Sequence, residues 1–231
     1  VCPNMDSALA AKIVRPWLDE CVSSHDACRS RQRSHLPKRV ISVGSHDHAP
    51  CLYESHGEES DYIALSYCWG LGRSLTTTKS SYAARVTGIS WEDFPNTIRD
   101  AMIFTQNIGV QFIWIDALCI IQDDAEDWRV EAAKMASIYE NALLTLSATA
   151  SDSTNSGCFP TPRAKSHKLS KQLPAIQLWT ELIQSYSRRL FTYPTDKLVA
   201  LSGAAQKFQR LDMGLYLAGL WRQDLHVQLC W

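Results

Sequence analysis

The stretch FIWIDALCIIQDDAEDWRVEAAKM, residues 112–135, decides how the rest of the chain reads. Its first residues form a near-continuous apolar run, the pattern of a strand covered on both faces. That run meets an aspartate, Asp116. Carboxylates at 123, 124, 126 and 127 then gather where a helix over about Ala125 to Asn141 is predicted to begin. Acidic residues in a first helical turn complement the helix dipole, by roughly 0.3–1 kcal/mol each, and this accounts for most of the acid. A strand that delivers an aspartate at its carboxyl end is placed where α/β sheets bind ligands.

Working outward, DYIALSY (61–67) reads as a second strand, rich in aromatic and β-branched residues and closed by the glycines of CWGLG. FPNTIRDAMIFTQNIG reads as a helix capped at Asn96 or Thr97 and ended by Gly109. ALLTLSA is a further strand, and RVISV and CLYES are two short ones upstream. SALAAKIVRPWLDECVSSHDAC reads as an N-terminal helix interrupted or re-entered at Pro16. Strand and helix alternate, which implies right-handed crossovers and a mainly parallel central sheet. The expected fold class is α/β with added N- and C-terminal helices. The expected domains are an N-terminal helical segment and linker (1–38), a core (39–160), a linker (161–173) and a C-terminal helical appendage (174–231). Helices are predicted in that appendage near 174–190, 195–209 and 213–229.

Composition narrows the function. The 231 residues are 45% hydrophobic with a net charge of −1, so a sizeable core is available and no global field favours nucleic acid or an anionic membrane. The one basic cluster, CRSRQRSHLPKR (28–39), lacks interleaved aromatics and reads as a solvated linker. No apolar run approaches the roughly 18–20 residues of a membrane span, and no secretory leader is visible. Eight scattered cysteines read as reduced thiols of a cytoplasmic protein.

Candidate chemistry collects at the predicted strand ends. Trp69 and Gly70 follow one strand and Asp116 follows the next; Asp116 is either a cap for nearby N–H groups or a ligand-positioning carboxylate. On the acidic helix, Trp128, Ala132, Met135 and Tyr139 share an apolar stripe, and Glu131 lies about 60° from its centre. A carboxylate among apolar neighbours is partly desolvated and suited to acid/base or electrostatic work. The plain alternative is an edge residue paired with Lys134. Cys21, His25 and Cys28 fall on one helix face and are weak zinc candidates, since no paired Cys-x-x-Cys accompanies them. Cys68 and Cys119 lie near the presumed cleft, with no histidine close in sequence, and read as structural thiols.

Taken as a set, YIALSYCWG and the run from FPNTIRDAM through WIDALCIIQDD, DWRVEAAKM and IYENA to GCF resemble the fungal heterokaryon incompatibility (HET) domain over about residues 61–159. The resemblance implies a module of self/non-self recognition whose activation kills fused cells. It also implies a distant likeness to Toll/interleukin-1 receptor (TIR) domains, and with it a TIR-like or flavodoxin-like three-layer α/β sandwich; some of those domains cleave NAD+ with a glutamate in a Trp-x-x-Glu helix. Trp128 and Glu131 stand at that spacing. On this resemblance Glu131 is the catalytic candidate, and Trp69, Gly70, Asp116 and Trp128 are ligand-binding candidates. NAD+ is then a substrate, and no cofactor is required. The implied partners are a second copy or another incompatibility-locus protein. The competing expectations are a non-catalytic scaffold acting by homotypic assembly and an internally truncated, inactive homologue. The latter arises because the Arg-x-Trp-x-x-Gln-Glu segment that the family carries after the position of Gly157 is missing here.

Overall fold

The computed structural model describes residues 6–25, 34–45, 48–70, 75–149, 151, 153–159, 175–187, 205, 208, 216–217 and 220–221. The chain divides into two compact units, Val1–Ala164 and Lys165–Trp231.

The first unit opens with α1 (Ser7–Ser24), whose N-terminus is capped by the Asp6 carboxylate accepting from the Leu9 N–H at 2.7 Å. Pro16 lies inside this helix, which runs through it without the expected interruption. β1 (Arg39–Ser42) and β2 (Cys51–Glu54) form an antiparallel hairpin. β3 (Tyr62–Ser66), a short α2 (Tyr82–Thr87), a 3-10 turn (Trp91–Asp93) and α3 (Asn96–Ile108) follow. Pro95, and neither Asn96 nor Thr97, occupies the cap position of α3, while Gly109 ends the helix in the left-handed conformation as expected. β4 (Phe112–Trp114), α4 (Asp116–Cys119), α5 (Ala125–Asn141) and β5 (Leu144–Ser147) complete the unit.

The sheet order is β2-β1-β4-β3-β5. β3 pairs in parallel with both β4 and β5, but β1 runs antiparallel to β2 and to β4. The sheet is therefore open and mixed, which corrects the expectation of a mainly parallel one. The physical reason is connection length: the few residues between β1 and β2 close a hairpin, whereas a parallel pairing needs a crossover of a dozen or more. Gly44, at φ +74, sits in that connection, and a Cβ there would lie 2.5 Å from the His48 carbonyl oxygen. Residues 62–65 of β3 and 112–114 of β4 are buried without interruption, so both faces of these strands are covered. α1 packs against α3, and Arg15 donates to the Ile108 carbonyl at the far end of α3.

The inward face of α5 is shifted toward Glu131 from the one its apolar periodicity selects: Met135 and Tyr139 of the stripe pack against the core, but Trp128 does not share their burial. Glu131 and Ile138 are its buried residues, seven positions apart, and Trp128 is 42% exposed. Three tertiary contacts orient it. Asp127 pairs with Arg39, the Tyr62 hydroxyl donates to the Ile138 carbonyl at 2.6 Å, and the Tyr139 hydroxyl donates to the Leu65 carbonyl at 3.1 Å. Arg39, read from sequence as part of a solvated linker, is only 2% exposed.

In the second unit α6 (Ala175–Ser187) supplies Trp179, around which Phe208, Tyr216 and Trp221 pack with ring centroids 5.1, 5.8 and 5.4 Å away. Tyr216 and Trp221 belong to a two-residue antiparallel pair, β6 (Tyr216–Leu217) and β7 (Leu220–Trp221), within the stretch 213–229 that was read as helix. The predicted helix near 195–209 lies almost wholly outside the described residues.

Candidate functional site

Along the chain the parallel strands come in the order β3, β4, β5, but in space β3 lies between the other two. Connections from one strand to neighbours on opposite sides create a switch point, and a crevice opens at the carboxyl ends of such strands. Each of the three strands sends a segment to this rim. β3 continues into Tyr67–Gly70, β4 ends two residues before Asp116, and β5 is followed by residues 151–159.

These segments are tied together. The Trp69 indole N–H donates to both Asp116 carboxylate oxygens, each at 3.1 Å, and the Ala117 N–H donates to one of them at 2.7 Å. The Thr154 N–H donates to the Trp69 carbonyl at 3.4 Å. The same 151–159 segment clasps the start of α3. The Thr97 N–H donates to the Thr154 carbonyl at 2.9 Å, the Gly157 N–H to the Thr97 hydroxyl at 3.1 Å, and the Cys158 N–H to the Asp100 carboxylate at 2.9 Å. Gly157 holds φ +80, and a Cβ there would meet the Asp100 Oδ2 at 2.9 Å. Gly70 likewise takes a positive φ of +74 directly after Trp69.

Asp116 is half-buried, and desolvation pushes its pKa up to about 6 against the smaller downward pull of the Ala117 and Trp69 N–H groups. Two other titratable side chains sense it. The Cys119 thiol is pushed to about 12, mainly by burial, with the Asp116 and Glu131 charges adding to the rise. The Tyr139 phenol is also raised, by burial first and by Asp116 second. Tyr139 stands edge-on to Trp114 at 5.5 Å. Cys119 is therefore a thiol and no nucleophile at neutral pH, as its apolar setting suggests.

A raised carboxylate pKa carries a definite sign. The folded state holds the Asp116 proton more tightly than the unfolded chain. The stabilisation is fully present below about pH 4 and is lost as pH rises through about 6. Asp116→Asn is isosteric and cannot ionise. Its unfolding free energy, measured by urea titration from pH 4 to 7.5, is expected to lack that decline. The variant gains on the order of 2 kcal/mol relative to the parent across the window. A parallel pH profile for the two proteins would contradict the assignment.

Glu131 sits one turn beyond Asp127 on α5. It is 2% exposed, and Lys134 Nζ lies 3.0 Å from its Oε1. Its charge reaches Cys119, as that of Asp116 does, but among the described residues no hydrogen bond joins Glu131 to Trp69 or Asp116. The structure thus brings Trp69, Gly70 and Asp116 together at the rim, seats Glu131 beneath the helix surface, and leaves Trp128 half in solvent. Cys21 is half-buried, His25 is exposed, and Cys28 lies outside the described residues. No group of three or more His, Cys, Asp or Glu side chains among the described residues is arranged to hold a metal. No described helix is long and apolar enough to cross a membrane. An open groove of about 490 Å³, lined by Leu75, Glu92, Phe94, Asn96, Arg99 and Asn155 among others, lies at the start of α3 and contains none of the candidates named from sequence.

With this geometry in view, comparison with known proteins is decisive on one point. A family model described as Heterokaryon incompatibility protein (HET) matches residues 62–199, more than half of the chain. The chain belongs to the HET family. No curated protein and no solved structure matches it. The match spans the whole HET rim described above, from β3 through Asp116 and α5 to the 151–159 clasp. Sequence reasoning found Trp69 and Asp116 because both follow strand-like runs. It named Tyr139 only as part of an apolar stripe and missed Thr154; the parts of both depend on contacts between segments distant in sequence. It also missed Arg39, hidden in a basic run that resembles a linker.

Proposed function

We propose that this HET protein is a self/non-self recognition module and cell-death effector that acts by hydrolysing NAD+. The observation that carries the reading is the Glu131 carboxylate, 2% exposed on α5, the helix that leads from the Asp116 segment into β5. The strand order of the parallel trio, with the first strand between the second and third, is that of flavodoxin-like sheets and supports the TIR-like resemblance.

In this reading the rim takes the dinucleotide, with Trp69 offering an aromatic face and Asp116 a hydrogen-bond acceptor. The bond between the ribose C1′ and the nicotinamide nitrogen breaks with its electron pair leaving on nitrogen, which releases neutral nicotinamide. The oxocarbenium charge on the ribose is stabilised by the Glu131 carboxylate, and a water adds at C1′ and loses a proton, giving ADP-ribose. The test is incubation of the purified full chain with NAD+, following nicotinamide. Glu131→Gln keeps the shape of the side chain and is expected to reduce release by at least about 100-fold while leaving the circular dichroism spectrum unchanged. Equal turnover in the two proteins would end the enzymatic reading.

A second reading, a non-catalytic module that signals by homotypic assembly, is favoured by the closure of Glu131 under Lys134 and by the absence of Glu131 from the lining of the described groove. It predicts concentration-dependent oligomers by light scattering and no nicotinamide at any protein concentration. A monomer with turnover would contradict it.

A further inference from the structure

The ion pair on α5 is lopsided. The Glu131 side chain is 3% exposed, and the Lys134 side chain that meets it at 3.0 Å is 51% exposed. A pair in which both partners are buried is a structural fixture. Here one partner is fixed in the interior and the other is a flexible, hydrated arm reaching in from solvent. A lysine ammonium is a compact point charge on four rotatable carbons, and such an arm swings away at little cost in packing. The carboxylate it leaves behind, however, is a buried charge that requires a cation in the same place.

We propose that Lys134 is a displaceable lock: its ammonium fills a cation subsite on Glu131 that a cationic ring of the quaternary pyridinium class occupies when the site is engaged. The inference rests on the NAD+ reading above, and adds to it the charge that the substrate must present and the residue that holds the site shut without substrate. The pyridinium ring of NAD+ carries a formal positive charge, which neutral nicotinamide lacks, so the subsite distinguishes substrate from product by charge. Trp128 stands one turn before Glu131 on the same helix with its indole 42% exposed, an aromatic face of the kind that attracts organic cations. A recognition module that kills must be silent until engaged, and an internal cation supplied by its own helix provides that silence.

The lock is tested independently of turnover, by carbodiimide and glycinamide labelling of carboxylates read out by peptide mass spectrometry. In the parent protein Glu131 is expected to label slowly while the exposed Glu126 and Glu140 label freely. In Lys134→Met, Glu131 is expected to label about tenfold faster, the ratio that about 1.4 kcal/mol of ion pairing maintains, and in Lys134→Arg it stays slow. Adding 1-methylnicotinamide, a quaternary pyridinium, to Lys134→Met is expected to slow Glu131 labelling again, and neutral nicotinamide is not. Should Lys134→Met fail to fold, the parent carries the test: 1-methylnicotinamide then speeds reductive methylation of Lys134, and nicotinamide does not. Unchanged labelling of Glu131 in a folded Lys134→Met overturns the lock, and equal effects of the charged and neutral rings overturn the cation subsite. Faster labelling without nicotinamide release from NAD+ in any variant keeps the lock and removes the NAD+ reading instead.

Discussion

Arg39→Met is expected to destabilise the first unit by roughly 3 kcal/mol, measured by urea denaturation of the full chain, because it strands a buried charge. The Arg39 guanidinium is 2% exposed and joins three segments. Its Nη2 pairs with the Asp127 carboxylate at the start of α5, and its Nε donates to the Cys119 carbonyl at the end of α4 at 2.7 Å. The Asp127 side chain is itself only 9% exposed and also accepts the Ile121 N–H at 3.0 Å. Burial alone would raise the Asp127 pKa, but the Ile121 N–H, Arg39 and Lys38 together hold it below the ordinary carboxylate range. That pairing contributes stability above the unfolded pKa and loses it as the solution is acidified through the folded one, so the parent is expected to weaken in acid more than the variant does. Lys38, 3.0 Å from Asp127 in the parent, is expected to soften the loss without replacing the bond to Cys119. The companion Arg39→Met, Asp127→Leu double variant removes both charges and is expected to recover most of the deficit, because the desolvation penalty disappears with the pair. Two single variants whose costs simply add in the double would show that the pair is not coupled.

Trp114→Ala is expected to cost roughly 4 kcal/mol, whereas Trp128→Ala costs less than about 1 kcal/mol, although the two tryptophans sit in the same 24-residue stretch. Trp114 is 1% exposed at the carboxyl end of β4, beside Ala64 of β3, with its ring edge-on to Tyr139. Removing it leaves a cavity between sheet and helix that neighbouring strands, pinned by their ladders, cannot close, and it also takes away an aromatic pair worth about 0.5–1.5 kcal/mol. Trp128 is 42% exposed, so most of its truncation is felt by solvent. The contrast tests which face of α5 points inward. Comparable losses at the two positions would mean that α5 is rotated toward the stripe its periodicity suggests and that Glu131 is not at the centre of the buried face.

The elements themselves were legible. α5 begins and ends where its acidic first turn and the change to ALLTLS predict, and Gly109 terminates α3 as a left-handed glycine should. These signals are local, carried by dihedral preference, capping and side-chain period, and a linear reading contains them in full. The strand-end rim was legible to the extent that Trp69 and Asp116 were named because each succeeds a strand, and they meet at 3.1 Å. Arg39 was misread because charge and the absence of aromatics describe a basic linker equally well whether or not a buried carboxylate waits for one of its arginines. Trp128 was misplaced because an apolar side chain at the right helical angle does not reveal that a tyrosine on β3 and an arginine on β1 have already chosen another angle.

By itself the sequence determined the five strands and three longer helices of the first unit in their order, membership of the HET family, and the presence of carboxylates beside strand ends, while the short α2, the 3-10 turn and α4 went unread and the apolar run 110–117 yields a strand only over Phe112–Trp114. Those properties depend on residues close together along the chain. Only the tertiary structure decided that β1 and β2 run against the parallel trio, that α5 turns Glu131 inward beneath Lys134, and that residues 151–159 bind Trp69 to the start of α3. Each of these is a choice among partners distant along the chain, settled by which buried charges and backbone groups find one another.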